Sequence, residues 1–182
     1  VFSYKKTRTS LRVAVDEITN YTYFASSYTI DKDFNRLGNT VKVNQSGGAI
    51  NLITASLSQD FTLGPLNWEN VITYQKSSNN DVIPVPDLNI YSNLYLRFKI
   101  AHVLKCDFGT DVRYFTEYYA PEYSPALGQY TVQTNTSTSS GTESRVNIGN
   151  YPIVNVYANF HLKHTRFFIM MSHVNAANGN KD

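Results

Sequence analysis

The chain has little of what reaction chemistry usually needs. It carries one cysteine, Cys106, so no internal disulfide can form. That residue also lacks the Cys/His spacing of a zinc site. Charged residues make up 16% of the 182, against roughly 25% in soluble proteins. A formal charge of +2, with no basic run, excludes a phosphate-backbone surface, and no nucleic-acid partner is expected. No apolar run approaches the ~18 residues of a transmembrane helix, which a β-barrel would not show in any case. There is no Gly-x-Ser-x-Gly, and no Ser/His/Asp order that falls on one rim. Ser46-Gly47-Gly48 is not followed by the Lys-Ser/Thr of a phosphate cradle. His102, His161, His164 and His173 form no pair sharing a face with a carboxylate at ligand spacing. Asp81 and Asp87 lack a twelve-residue calcium pattern. No enzyme, metal or cofactor is implied.

What is present is aromatic and alternating. Fourteen Tyr and ten Phe fit strands in general and the interfacial girdles of membrane barrels in particular. The stretch Tyr91–Tyr119 carries the clearest pattern. Leu94, Leu96, Phe98, Ile100 and Leu104 share one parity, and Asn93, Arg97 and Lys99 the other. Beyond a reversal expected near Lys105, Cys106, Phe108, Val112 and Tyr114 alternate with Asp107, Asp111, Arg113 and Glu117. Two runs of period 2 joined by almost nothing read as a β-hairpin. Pairing about Lys105 would set Lys99 opposite Asp111 and Arg97 opposite Arg113; a two-residue slip would set Arg97 opposite Asp111. Each arm is about ten residues, the length of a tilted membrane strand. Long-stranded soluble barrels of the lipocalin kind share the local pattern.

The rest of the chain repeats this unit. Val1–Tyr4 reads as the end of a strand, and Leu11 to about Phe24 as the next. Ala49–Leu63 alternates if a bulge near Asn51 repairs its register. Leu66–Lys76, Tyr151–Leu162 and Arg166–Asn175 complete the set, the last apolar on both parities. Polar segments Ser26–Gly48, Ser77–Ile90 and Ala120–Asn150, of 23, 14 and 31 residues, separate turns of only a few. The last holds a Ser/Thr-rich patch at Thr134–Thr142. Structureless loops beyond about 12–15 residues are uncommon in compact domains. Long loops at one end and tight turns at the other characterise an outer-membrane barrel, with extracellular loops above and periplasmic turns below. Leu11–Phe24, Leu66–Lys76, Cys106–Tyr119 and Arg166–Asn175 should then run outward.

The expected fold is all-β: an antiparallel up-and-down meander of about seven long strands, part of a transmembrane outer-membrane β-barrel. Seven are too few to close a bacterial barrel. Residues 1–182 therefore read as a single partial barrel domain, an internal or C-terminal-half piece lacking the N-terminal strands and the closing strand.

Eight short motifs stand near the loops: N-Y-T-Y-F at Asn20–Phe24, Y-Q-K-S-S-N at Tyr74–Asn79, P-V-P at Pro84–Pro86, R-Y-F-T-E-Y-Y-A-P-E-Y at Arg113–Tyr123, L-G-Q-Y at Leu127–Tyr130, I-G-N-Y-P at Ile148–Pro152, T-R-F-F at Thr165–Phe168 and H-V-N at His173–Asn175. In this order, from about Leu11 to Asn178, they resemble the C-terminal half of the putative porin family of Bacteroidetes outer membranes. The resemblance implies a bacterial outer-membrane barrel in the lipid bilayer, a porin role and a final aromatic-ended strand.

Parity assigns faces. Arg97, Lys99, Asp111, Arg113, Glu117, Glu69, Gln75, Asn155 and Asn159 are the expected pore-lining residues. Leu94, Leu96, Phe98, Ile100, Phe108, Val112, Val154, Val156, Phe160, Trp68 and Ile72 are the expected lipid-facing ones. The mixed charges would either set up a transverse field on passing solutes or brace the wall as a salt-bridge network. Tyr118, Tyr119 and Tyr123 read as interfacial anchors or as a sugar-stacking platform. The expected function is passive diffusion of small hydrophilic solutes, in a monomer or homo-oligomer. Its rivals are a soluble ligand-binding barrel and a plugged barrel acting as an adhesin or assembly partner.

Overall fold

The computed structural model describes residues 2–4, 8–31, 33, 36–134 and 145–176. Twelve strands follow in order: β1 (Phe2–Tyr4), β2 (Thr9–Ile18), β3 (Thr22–Ile30), β4 (Arg36–Gln45), β5 (Ile50–Leu63), β6 (Leu66–Ser77), β7 (Leu88–Ile100), β8 (Leu104–Phe115), β9 (Glu122–Ser124), β10 (Gln129–Gln133), β11 (Ile153–Leu162) and β12 (Thr165–Met171). No helix of the described residues is long and apolar enough to cross a membrane.

Eight strands make one antiparallel sheet, the wall, in the order β1-β2-β5-β6-β7-β8-β11-β12. It is not closed: β1 and β12 are its edges, and no described strand pairs with their outer sides. The meander turns tightly at one end. Leu63 pairs with Leu66 across Gly64-Pro65, Ile100 with Leu104, and Leu162 with Thr165. These reversals need left-handed backbone, supplied by Gly64 at φ 59° and, less cheaply, by Ala101, His102 and Lys163 at 50°, 59° and 50°. The long connections all lie at the other end.

Two of those connections are folded, which the length of the polar segments did not suggest. β3 and β4 form a hairpin inside the first, and β9 and β10 lie inside the third. They join as a second sheet, β4-β3-β10-β9, through a parallel pairing of Val132 with Ala25 and Gln133 with Ser26. Alternation here was hidden because β3 mixes aromatic and polar residues on both faces and β10 is only five residues long. The strand expected to run from Leu11 to Phe24 accordingly breaks at Ile18, and Thr22 opens the loop sheet. The Ser/Thr patch lies outside the described residues beyond Thr134.

Three further expectations change. No bulge occurs at Asn51: β5 pairs with β2 and β6 in unbroken register. Ile50 and Leu52 simply point to the polar side, where Ile50 is only 1% exposed. The focal hairpin reverses at Ala101–Val103, so Arg97 faces Asp107, Asn93 faces Asp111 and Tyr91 faces Arg113. The third is β12, which stops at Met171 rather than Asn175.

The wall's two faces differ in packing, the apolar one carrying many exposed side chains. Phe98, Leu96 and Val156 are 39%, 45% and 47% exposed, whereas Asn93 and Asp111 on the opposite face are 9% and 7% exposed. Long polar side chains crowd one side, and the apolar side faces outward.

Candidate functional site

The polar face is laid out in rows by strand register. One row reads Asp60, Glu69, Asn93, Asp111 and Asn155 across β5, β6, β7, β8 and β11. Two pairs within it are tied together. Asn93 Nδ2 donates to Glu69 Oε2 at 3.3 Å, and Asn155 Nδ2 to Asp111 Oδ1 at 2.9 Å. Arg113 Nε lies 3.6 Å from Asp111 Oδ1, from the row above.

Below it run Tyr95, Gly109, Tyr157 and Met170. Tyr95 Oη donates to Glu69 Oε1 and Tyr157 Oη to Asn93 Oδ1, both at 2.8 Å. Gly109 is what lets both rings lie down. A Cβ there would stand 2.6 Å from Tyr95 Cβ, 2.7 Å from Tyr157 Oη and 2.8 Å from the Leu94 carbonyl oxygen. A glycine inside a strand marks such a close approach.

The next row is Arg97, Asp107, Asn159 and Phe168. Arg97 grips Asp107 with two parallel bonds, Nε to Oδ1 at 2.9 Å and Nη2 to Oδ2 at 3.0 Å. The planar fork of the guanidinium suits a carboxylate in this way. Its carbon also lies 5.0 Å from the Tyr95 ring centre. The last row, next to the tight turns, is Lys99, Lys105, His161 and Arg166.

Eight of the nine residues expected to line a pore lie on this face: Arg97, Lys99, Asp111, Arg113, Glu69, Gln75, Asn155 and Asn159. Glu117 does not belong with them. β8 ends at Phe115, so the alternation that placed Glu117 no longer applies; it lies in the loop beside the Tyr118–Ile148 bridge. The same face also carries Tyr91, Tyr95, Lys105, Asp107, Tyr157 and Arg166, none of them among the expected pore-lining residues. Parity alone sets Asp107 and Tyr157 on the polar side. Lys105 was legible once the reversal moved from Lys105 to Ala101–Val103.

All eleven residues expected on the apolar side share the opposite face. They pack along it: Phe98 stacks on Phe108 at 5.7 Å between ring centres, and Phe108 meets Phe160 edge-on at 5.4 Å. Polar atoms on that side have partners. Trp68 Nε1 donates to Ser92 Oγ at 2.9 Å, Ser92 Oγ to Asn70 Oδ1 at 2.8 Å, and Thr110 Oγ1 to the Asn155 carbonyl at 2.9 Å. β12, ambiguous by pattern, resolves through its pairing with β11: Phe167, Ile169 and Met171 join the apolar face, and Phe168 and Met170 the polar one.

At the loop end, Asp81 and Asp87 are engaged by cations. Arg145 Nη1 is 2.8 Å from Asp81 and Lys76 Nζ is 2.9 Å from Asp87. Among the described residues no group of three or more His, Cys, Asp or Glu is placed to hold a metal ion. The loop sheet is clasped by Glu122, which accepts from the Tyr28 hydroxyl and from Arg36 Nη1, the latter at 2.5 Å. Arg36 Nη2 also donates to Gln133 Oε1 at 3.1 Å.

A meander with one apolar face, one face bearing the ionised side chains, tight turns at one end and long connections at the other has the layout of a β-barrel wall. Comparison with known protein families matches residues 1–182 to the family described as "Putative porin", and the chain belongs to that family. Comparisons with curated proteins and with solved structures found no match.

Proposed function

We propose that the chain forms part of the wall of a bacterial outer-membrane barrel that passes small hydrophilic solutes by diffusion. The exchange of faces carries this reading. An apolar surface of this extent facing water would be an association hazard. Facing lipid it costs nothing, and the ionised residues then meet a water-filled interior. A soluble ligand-binding barrel would need Leu96, Phe98 and Val156 turned inward, against their observed exposure.

In this reading β2, β6, β8 and β12 run outward, with the tight turns on the periplasmic side and the loop sheet outside. Further strands close the barrel at the edges of β1 and β12. In hydrocarbon, each unpaired N–H or C=O would cost several kcal/mol. The tied rows from Asp60 to Asn159 brace the wall, and the charges they leave over act on solutes.

One observation favours a second reading. The β3–β10 pairing joins two loops whose parent strands are separated in the wall by β5 to β8. A sheet spanning that distance could cover the opening and serve as a recognition surface on a non-conducting barrel. Conductance of the native protein across a planar lipid bilayer separates the two. Discrete open steps are expected. Insertion without steps would replace diffusion with the recognition role, and a protein that stays soluble without detergent would end the membrane reading.

A further inference from the structure

The row nearest the tight turns differs from every other row on the polar face. Lys99 on β7 stands directly opposite Lys105 on β8, Lys105 opposite His161 on β11, and His161 opposite Arg166 on β12. Adjacent strands are about 4.8 Å apart, so four basic positions lie within about 14 Å. Like charges directly opposite one another destabilise a sheet, yet here Lys99 and Lys105 stand in that arrangement.

No acid relieves them. Among the described residues Lys99, Lys105 and Arg166 make no ion pair. The nearest carboxylate in register, Asp107, is held by both arms of Arg97. His161 is itself fixed in place, its Nε2 lying 2.9 Å from the Lys163 carbonyl oxygen. These same side chains line a cavity of about 810 Å³, together with Arg97, Asp107, Asn159 and Phe168, and with Phe98, Phe160 and Phe167 from the neighbouring strand positions.

We infer that the turn end of the polar face is a binding site for small oxyanions, of the phosphate or sulfate class, held by Lys99 and Lys105 with Arg166 at the margin. The inference rests on the proposal that this face meets water. A free solute is favoured over a lipid headgroup because the row shares its face with Arg97, Asp107 and Asn159. The lysines supply point charges and rotatable donors suited to a tetrahedral anion. Asn159 adds a neutral donor, and the Arg97–Asp107 pair closes the row above. The site would concentrate anions at the inner mouth and favour their passage over that of cations.

The test is calorimetric titration of inorganic phosphate into the native protein in a zwitterionic detergent at low ionic strength. Saturable binding is expected, weakened about tenfold or more in Lys99→Gln/Lys105→Gln, as loss of two charge-assisted contacts implies. Lys99→Arg/Lys105→Arg, which keeps the charge, should retain it and shows that loss is not misfolding. No saturable binding, or equal binding by the glutamine variant, would overturn the site. So would binding of phosphatidylglycerol with no binding of free phosphate, which would assign the row to a headgroup. Reversal potentials in a salt gradient separate this site from the diffusion proposal. A silent barrel that still binds phosphate sinks diffusion and keeps the site; a conducting barrel that does not bind phosphate keeps diffusion and sinks the site.

Discussion

The two sheets of this chain solve opposite problems. The wall turns Phe98, Ile100, Phe108 and Val156 outward and encloses Asn93 and Asp111. The loop sheet behaves as a water-facing structure. It buries the junction of β3 and β10, where Ala25, Ser26, Thr131, Val132 and Gln133 are each under a tenth exposed, and ties it with hydrogen bonds. Thr134 N and Oγ1 both donate to the Ser26 carbonyl at 2.8 Å, and Gln133 Nε2 to that of Ala120 at 2.7 Å. The difference teaches that one chain can carry both polarities in two separate sheets. On the proposed membrane reading, lipid would reward the apolar atoms of the wall and water the satisfied polar atoms beyond it.

The largest blow to this contrast should come from a charge on the wall's outer face. Val156→Arg, near the middle of β11, should cost about 2–4 kcal/mol at the bilayer midplane and greatly reduce assembled protein in the membrane. Asn159→Arg, three residues on and on the polar face, should assemble normally. Reversed sensitivities, read as the amount of folded protein in membrane fractions, would invert the faces.

A subtler break is steric. Gly109→Ala forces a methyl group against Tyr95, Tyr157 and the Leu94 carbonyl. Overpacking of this kind costs about 1–3 kcal/mol. It should lower the wall's unfolding midpoint in denaturant while leaving the loop sheet's protection from hydrogen exchange unchanged.

The smallest effect should fall on the loop sheet alone. Glu122→Gln removes the carboxylate from Arg36 and Tyr28. An ion pair this accessible contributes about 1 kcal/mol or less, so exchange should quicken in β3 and β10 and not in β7 or β8. The Tyr28 hydroxyl is pushed above its ordinary 10.0, first by burial and then by its bond to Glu122. The folded state therefore favours the neutral phenol. That contribution is complete below pH 10 and disappears as pH rises through the raised value. In Glu122→Gln the Tyr28 Cζ carbon resonance should titrate at lower pH than in the wild type. No change between the two would remove Glu122 from the clasp.

Much of the wall was legible in the sequence because a strand has a period of two and apolar residues recur on one side of it. The eleven apolar positions from Trp68 to Phe160 all fell on one face for that reason. Registry was less legible. The focal hairpin's partners depended on where the chain reverses, and Ala101 and His102 carry the left-handed backbone without the glycine or asparagine that usually announces it. Arg97 consequently gained Asp107 as its partner rather than Arg113, or Asp111 in the slipped register. Phe168 and Met170, apolar on a polar face, could be placed only through their pairing with β11.

By itself, then, the sequence determined the strands of the wall, their two faces and the family to which they belong. These follow from local alternation and from motifs read in order. The tertiary structure alone decided which charges cancel and which do not. Arg97 and Asp107 neutralise each other while Lys99 and Lys105 stand face to face, a consequence of a shift in the turn. It also decided that β3, β4, β9 and β10 form one sheet. That pairing joins segments more than a hundred residues apart, and no periodicity within either one records it.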